Sequence, residues 1–313
     1  MVQALNLVFC GTPQFAVPTL EKLVNAGFDL RLVLTQPDRP KGRRLELVSS
    51  PIKQSAEKLG LPIYQPEKIK QNEELRGRLE ALSPDAIIVV GYGRIIPSWM
   101  LQLPKFGNIN LHASLLPKYR GAAPIQWAIA NGEKVTGVTT MRIDEGLDTG
   151  DILLQQELAI SEEDTSETLA PKLAAIGAEL MVETLRRLQS GAMTACRQDH
   201  ALASLAPILK KEDGRIDFRQ TAQVIYNRLR GFQPWPGAFT LFRGKILNIA
   251  AARPGSEQVP EAQLLAKGAQ LFVGCGRNTS LEILELQPEG KKRMPARDFI
   301  QGYRPQTGES VGE

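Results

Sequence analysis

The sequence predicts an α/β domain with a mostly parallel sheet, followed by a small β-barrel domain. Three observations carry that prediction. Apolar strands and amphipathic helices alternate from residue 5 onward, the rhythm of βαβ units. The run Ala86–Val90 is apolar throughout, as a strand covered on both faces must be. Beyond residue 207 the pattern changes to short β-like runs divided by Gly and Pro. A chain of 313 residues also exceeds what one compact core usually holds.

In chain order, Leu5–Gly11 reads as a buried first strand. Phe15–Ala26 has helical spacing in Phe15, Leu20, Leu23 and Val24 and closes at Gly27. Leu30–Thr35 is a second strand. The Gly-Thr-Pro after the first strand lacks the GxGxxG fingerprint, which gives no support to a nicotinamide cofactor. Residues 36–51, QPDRPKGRRLELVSSP, read as a surface loop bearing Arg39, Lys41, Arg43 and Arg44. Such a loop is either simply solvated or a flap whose guanidinium groups meet phosphates.

Ile52–Leu59 and Glu73–Leu82 read as helices, and Ala86–Val90 ends at Gly91-Tyr92-Gly93. Gly107–Pro124, GNINLHASLLPKYRGAAP, opens as a strand and enters a helix at Pro124, where a missing N–H costs nothing. Val135–Ile143 is a strand, DEGLDTGD an acidic turn, Ile152–Leu154 a return strand and Asp164–Leu188 a long helix. These residues, 1–189, make the first domain, and 190–206 a linker in which His200 is exposed and incidental.

The second domain, 207–305, has a helix at Ala222–Leu229 and strands at Phe239–Phe242, Ile246–Ala250, Gln270–Val273 and Leu281–Leu286. Trp235, between two prolines, reads as a hinge or core anchor. Lys291, Lys292 and Arg293 form a basic run, and 306–313 a frayed tail.

The chemistry concentrates at the strand of Asn110 and His112. Two residues apart, they point the same way. A carboxamide and an imidazole side by side can both donate to one oxygen, as a developing oxyanion requires. The ordinary alternative is a turn asparagine and a satisfied core histidine. The strand's carboxyl end favours the functional reading, because open parallel sheets bind ligands there. So does Asp148, placed in a tight turn where its carboxylate could reach His112. The four acids of that turn do not match the spacing of a calcium-binding EF-hand loop.

Composition narrows the classes. Hydrophobic content of 42% and charged content of 23% are ordinary for a soluble globular protein. Two histidines and three scattered cysteines, with no CxxC, argue against a transition-metal site and a disulfide framework and for a reducing cytosol. No apolar run is long enough to span a bilayer, and no secretory leader is expected. Residues 1–206 carry 22 basic and 23 acidic side chains, residues 207–313 carry 16 and 11. The basic second part suits a partner with phosphates.

GNINLHASLLPKYRGAAPIQWAI with GLDTGDILLQ is similar to the folate-dependent formyltransferases. TQPDRPKGR, SPIK, FQPWPGAF and GKKRMPARDFIQG resemble the branch that acts on initiator methionyl-tRNA, and the likeness covers almost the whole chain. The resemblance implies a Rossmann-like first domain, an OB-like C-terminal barrel, 10-formyltetrahydrofolate as donor and initiator methionyl-tRNA as acceptor. A monomeric cytoplasmic enzyme that needs no metal is expected.

It carries catalytic roles onto Asn110, His112 and Asp148: the first two donate to the oxyanion, His112 in its protonated form, and the third pairs with His112. Folate contacts fall on Ser114, Leu115, Leu116 and Pro117, with Arg94, Ile95, Ile96, Ile143 and Leu147. The tRNA contacts fall on Arg39, Lys41, Arg43, Arg44, Lys291, Lys292 and Arg293. Two departures stand out: Arg44-Leu45-Glu46 where the family loop commonly reads GKKL after its arginine, and Ala113 where Gly is common. Acceptors other than tRNA, namely a small amine or water, and a catalytically dead RNA-binding protein are the alternatives.

Overall fold

A computed structural model describes residues 4–41 and 46–312. The chain forms two compact units: Met1–Gly121, Val135–Ala159 and Ala170–Ala206 make one, and Ala122–Lys134, Ile160–Leu169 and Pro207–Glu313 the other.

In chain order the elements up to residue 190 are β1 (Asn6–Gly11), α1 (Val17–Asn25), β2 (Asp29–Leu34), β3 (Arg39–Lys41), β4 (Glu46–Val48), α2 (Pro51–Lys58), β5 (Ile63–Tyr64), α3 (Glu73–Leu82), β6 (Ala86–Val90), α4 (Ser98–Leu101), β7 (Asn108–His112), α5 (Pro124–Ala130), β8 (Val135–Arg142), β9 (Ile152–Ala159) and α6 (Ser166–Ser190). The first unit is built on a seven-stranded sheet in the order β5-β2-β1-β6-β7-β8-β9. Pairing is parallel from β5 through β7 and antiparallel from β7 to β9.

The central strands β1 and β6 are almost wholly buried, which their unbroken apolar sequences require. Helix starts follow capping chemistry. Ser50 accepts the Lys53 N–H at 3.0 Å ahead of Pro51, and Asn72 accepts the Leu75 N–H at 2.8 Å.

The structure corrects the reading of residues 36–51 as a loop. Arg39–Lys41 and Glu46–Val48 pair as an antiparallel ribbon, with Arg39 opposite Val48. A two-stranded ribbon has a free edge, so Pro40 costs it no ladder bond. Its base is fixed by Asp38, whose carboxylate accepts from Lys53 Nζ at 2.6 Å and Gln65 Nε2 at 2.9 Å. Lys53 above all holds that carboxyl below the usual range. Arg43 and Arg44 lie outside the described residues.

The second unit holds α5, α7 (Ala222–Gly231), β10 (Ala238–Phe242), β11 (Lys245–Gly255), β12 (Leu264–Lys267), β13 (Gln270–Cys275), β14 (Thr279–Pro288), β15 (Met294–Pro295) and α8 (Ala296–Tyr303). Its antiparallel sheet runs β10-β11-β14-β13-β12, with β15 on β14. Leu229, Phe242, Leu271, Leu281, Leu286 and Phe299 fill the core. Trp235 is 55% exposed, so it anchors no core.

The frayed tail is also corrected. Val311 is buried, and the backbone of 308–312 bridges two strands at opposite ends of the sheet. Gly308 donates to Leu264 O at 2.8 Å, Val311 to Ala262 O at 2.9 Å and Gly312 to Leu241 O at 2.8 Å. These bonds close the sheet at its β12 and β10 edges, where unpaired backbone would otherwise face solvent.

Glu309 ties the tail through Arg243 at 2.6 and 3.0 Å, and that hydrogen bond holds its carboxyl below the usual range. A depressed folded-state value contributes stability above the unfolded carboxyl's value, about 4.3, and loses it as pH falls through the depressed one. Glu309→Gln is therefore expected to lower the denaturant midpoint at neutral pH, with the gap to the parent closing as pH falls through the depressed Glu309 value.

Candidate active site

β6 and β7 are parallel neighbours, so their carboxyl ends lie at one edge of the sheet. β6 delivers Gly91-Tyr92-Gly93 there and β7 delivers His112, with Asn110 one pleat earlier. His112 is 6% exposed. Its Nε2 lies 2.8 Å from the Tyr119 carbonyl oxygen. A carbonyl only accepts, so Nε2 carries a proton, and the other ring nitrogen is left for chemistry. That nitrogen, Nδ1, faces Asp148 Oδ2 at 3.7 Å. The separation is too long for a direct hydrogen bond and suits an ion pair or a bridging water.

Asp148 arrives by an indirect route. β8 is antiparallel to β7, so its carboxyl end lies beside the start of β7, where Ile143 N–H donates to Asn108 O at 2.8 Å. The turn that follows brings Asp148 back to His112. Asp144 stiffens it by accepting from Gly146 N–H at 3.0 Å and the Thr149 hydroxyl at 2.7 Å. Asp148 itself has φ 51°, and its Oδ2 accepts the Gly121 N–H at 2.8 Å. The Asn110 carboxamide is half-buried and bonds no protein group among the described residues. Its N–H donors are thus unspent. No group of three His, Cys, Asp or Glu side chains among the described residues is arranged to hold a metal.

The Ser114–Pro117 turn is internally braced. The Ser114 hydroxyl donates to Lys118 O at 2.6 Å and the Thr139 hydroxyl to Ser114 O at 2.6 Å. Leu116 N–H donates to Thr139 Oγ1 at 3.2 Å, and Gln155 Nε2 to Leu116 O at 2.9 Å. Ser114 and Leu116 are buried, Leu115 and Pro117 half-buried. Ile96 and Ile143 pack with Tyr92 and Met100 in the core, whereas Ile95 is 92% and Leu147 62% exposed. Arg94 is half-buried.

Among the basic residues, Arg39 is exposed and donates to Glu67 at 3.1 Å, and Lys41 ends β3. Lys291, Lys292 and Arg293 are exposed on the second unit, with Arg293 paired to Glu285. Burial pushes the Cys10 and Cys275 thiols up, the latter to about 12, so neither is poised as a nucleophile.

Three residues around the site escaped the sequence reading: Tyr119, Arg120 and Gln198. Tyr119 and Arg120 sit in a stretch noted only as basic, and Gln198 in one read as linker. His200 is exposed, yet its Nδ1 lies 3.2 Å from Arg120 Nη1, which makes it a neighbour of this network rather than incidental.

Residues 5–185 match the formyl transferase family, and residues 208–304 match the formyl transferase C-terminal domain. The methionyl-tRNA formyltransferase of Koribacter versatilis (strain Ellin345) is 66% identical over 306 residues, 98% of each chain. The chain belongs to the methionyl-tRNA formyltransferase family. The family member from Solibacter usitatus (strain Ellin6076) is 52% identical over 314 residues, 99% of each chain.

Among solved structures, the sugar 3N-formyl transferase WlaRD, determined with dTDP and 5-N-formyl-THF, superposes with a TM-score of 0.68 at 19% identity. That likeness covers 93% of this chain and 100% of WlaRD. HypX from Aquifex aeolicus, in complex with tetrahydrofolic acid, gives 0.64 at 16% identity over 98% of this formyltransferase and 49% of HypX. At such identities the two share its fold.

Proposed function

We infer that this enzyme moves the formyl group of 10-formyltetrahydrofolate onto the α-amino group of initiator methionyl-tRNA, as a cytoplasmic monomer that draws on no metal ion. The observation that carries the reading is identity of 66% along 98% of a methionyl-tRNA formyltransferase, in a chain whose His112 faces Asp148 at 3.7 Å, with Asn110 two residues earlier on the same strand. The site fits a folate donor: Asn110 has unspent donors, and Ile95 and Leu147 offer exposed apolar surface for a flat pterin ring.

The folate supplies the formyl carbon and leaves as its N10 amine. The chain's residues do the rest. Asn110 donates to the formyl oxygen as negative charge builds on it, an interaction worth about 2.7–4 kcal/mol in comparable sites. Free α-amines titrate near 7.7–8, so the attacking amine needs no covalent enzyme intermediate. His112 takes a role other than the oxyanion donor expected from the sequence, because its Nε2 proton is spent on the Tyr119 carbonyl. It works through Nδ1, taking the proton that the amine sheds as the new C–N bond forms and returning it to the departing N10. Asp148, 3.7 Å away, supplies the counter-charge while the ring is cationic. Arg39, Lys41, Arg43, Arg44, Lys291, Lys292 and Arg293 are assigned to tRNA phosphates.

The test is formyl transfer from 10-formyltetrahydrofolate to charged initiator tRNA, run beside uncharged tRNA and a panel of small amines. Transfer to the charged tRNA alone, with a KM that rises with salt as phosphate contacts demand, is expected. Turnover with a small amine or water and none with tRNA overturns the acceptor.

A further inference from the structure

We propose that Arg120 and Gln198 are positioning residues that hold the Asp148 turn in register with His112. The proposal rests on the function inferred above and concerns residues that take no part in the proton and oxyanion chemistry.

Both side chains are buried, Arg120 at 6% and Gln198 at 3% exposure. Arg120 places two donors on Gln198 Oε1, Nε at 3.1 Å and Nη2 at 2.6 Å. That leaves the Gln198 amide hydrogens facing the acidic turn, where Nε2 donates to Asp148 O at 2.9 Å and to Gly150 O at 2.7 Å. A guanidinium fork fixes the amide, and the amide fixes two backbone carbonyls that bracket Thr149. The planar fork leaves the amide one orientation, with its oxygen toward Arg120.

The turn needs such a hold. Asp148 sits at φ 51°, a left-handed conformation that non-glycine residues adopt only when their surroundings impose it. The stretch Tyr119–Gly121 imposes it from one side. Tyr119 gives its carbonyl to His112 Nε2, Gly121 gives its N–H to the Asp148 carboxylate, and Arg120 between them reaches the turn's backbone through Gln198. One short segment therefore sets both partners of the His112–Asp148 pair.

Residues 196–206 hold that segment in turn. Arg120 N–H donates to Ser204 O at 2.8 Å, Ala206 N–H to Arg120 O at 2.7 Å, and Tyr119 N–H to Ser204 Oγ at 2.9 Å. Cys196 and Ile152 exchange both backbone bonds at 2.8 Å, which fixes the stretch next to Gln198 beside the end of the acidic turn. The segment read as a linker is thus the back wall of the site.

Gln198→Glu tests this. The carboxylate keeps the Arg120 bonds and loses both donors to the turn. In the folded variant kcat for formyl transfer is expected to fall roughly 10–100-fold, the cost of a misplaced catalytic group, with KM for folate and tRNA within about twofold of the parent. Arg120→Lys retains one bond to Gln198 Oε1 and should lose less than Arg120→Ala.

A second readout needs no substrate. The chain has two histidines, so the His112 imidazole nitrogen resonances are resolvable, and their pH titration should shift in Gln198→Glu. A folded Gln198→Glu protein with kcat within about twofold of the parent, or a parental His112 titration, overturns the proposal. Should the parent itself transfer no formyl group to tRNA, the inferred function fails, while the His112 titration still decides the positioning role.

Discussion

Asn110→Ala is expected to lower kcat for formyl transfer roughly 10²–10³-fold while leaving KM and stability near the parent's. The expectation follows from what the carboxamide does not do. It bonds no protein group among the described residues, so truncation unpairs nothing and leaves the β7 backbone ladder intact. The loss therefore appears where charge builds on the formyl oxygen, in kcat.

His112→Ala is a less clean probe of the same site. It removes the proton relay but also the buried hydrogen bond between Nε2 and the Tyr119 carbonyl, so a loss of stability mixes with the loss of chemistry. Single-turnover transfer and thermal unfolding, measured side by side on Asn110→Ala, check the prediction. A kcat within about twofold of the parent would remove Asn110 from the oxyanion role.

The catalytic strand was legible because strand geometry is local. Residues 110 and 112 share a face in any β-strand, and the apolar run of β6 announces the sheet that β7 joins. The Glu73–Leu82 helix and the β6 strand fall at their expected residues for the same reason. What stayed hidden depends on partners distant in sequence. Gln198 meets Asp148 across 50 residues, and a glutamine amide carries no pattern that names its partner. Pro40 and the charges Arg39, Lys41 and Glu46 disguise the β3–β4 ribbon, whose base is held by Asp38 through Lys53 and Gln65.

His112 shows both sides. The sequence points to its role, but which ring nitrogen is available follows from the Tyr119 carbonyl, whose position is set by the turn through Ser114–Lys118. In the second unit the polar composition of 306–313 suggests fraying, yet one buried side chain, Val311, and a few backbone bonds seat it between two strands.

Phe299→Ala is expected to destabilise the second unit by about 3–5 kcal/mol, the usual cost of emptying a fully buried aromatic site. Phe299 is 0% exposed on α8, an element the sequence reading did not contain because its few apolar residues follow a basic run. The ring stands edge-on to Phe242 of β10 at 5.3 Å between centroids and stacks on Tyr303 at 4.7 Å. Truncation loses both aromatic contacts and leaves a void among Leu271, Leu286 and their neighbours, which rigid strands cannot collapse to fill.

A two-unit chain need not unfold in one step, so a single melting temperature is the wrong measure. Amide hydrogen exchange along β13 and β14 reads the opening of this unit directly, and the variant should exchange there about 10²–10⁴-fold faster, with the β1 and β6 amides of the first unit unchanged. Faster exchange across both sheets alike would mean that the two units open together. Parental rates in β13 and β14 would mean that Phe299 lies outside the second unit's cooperative core.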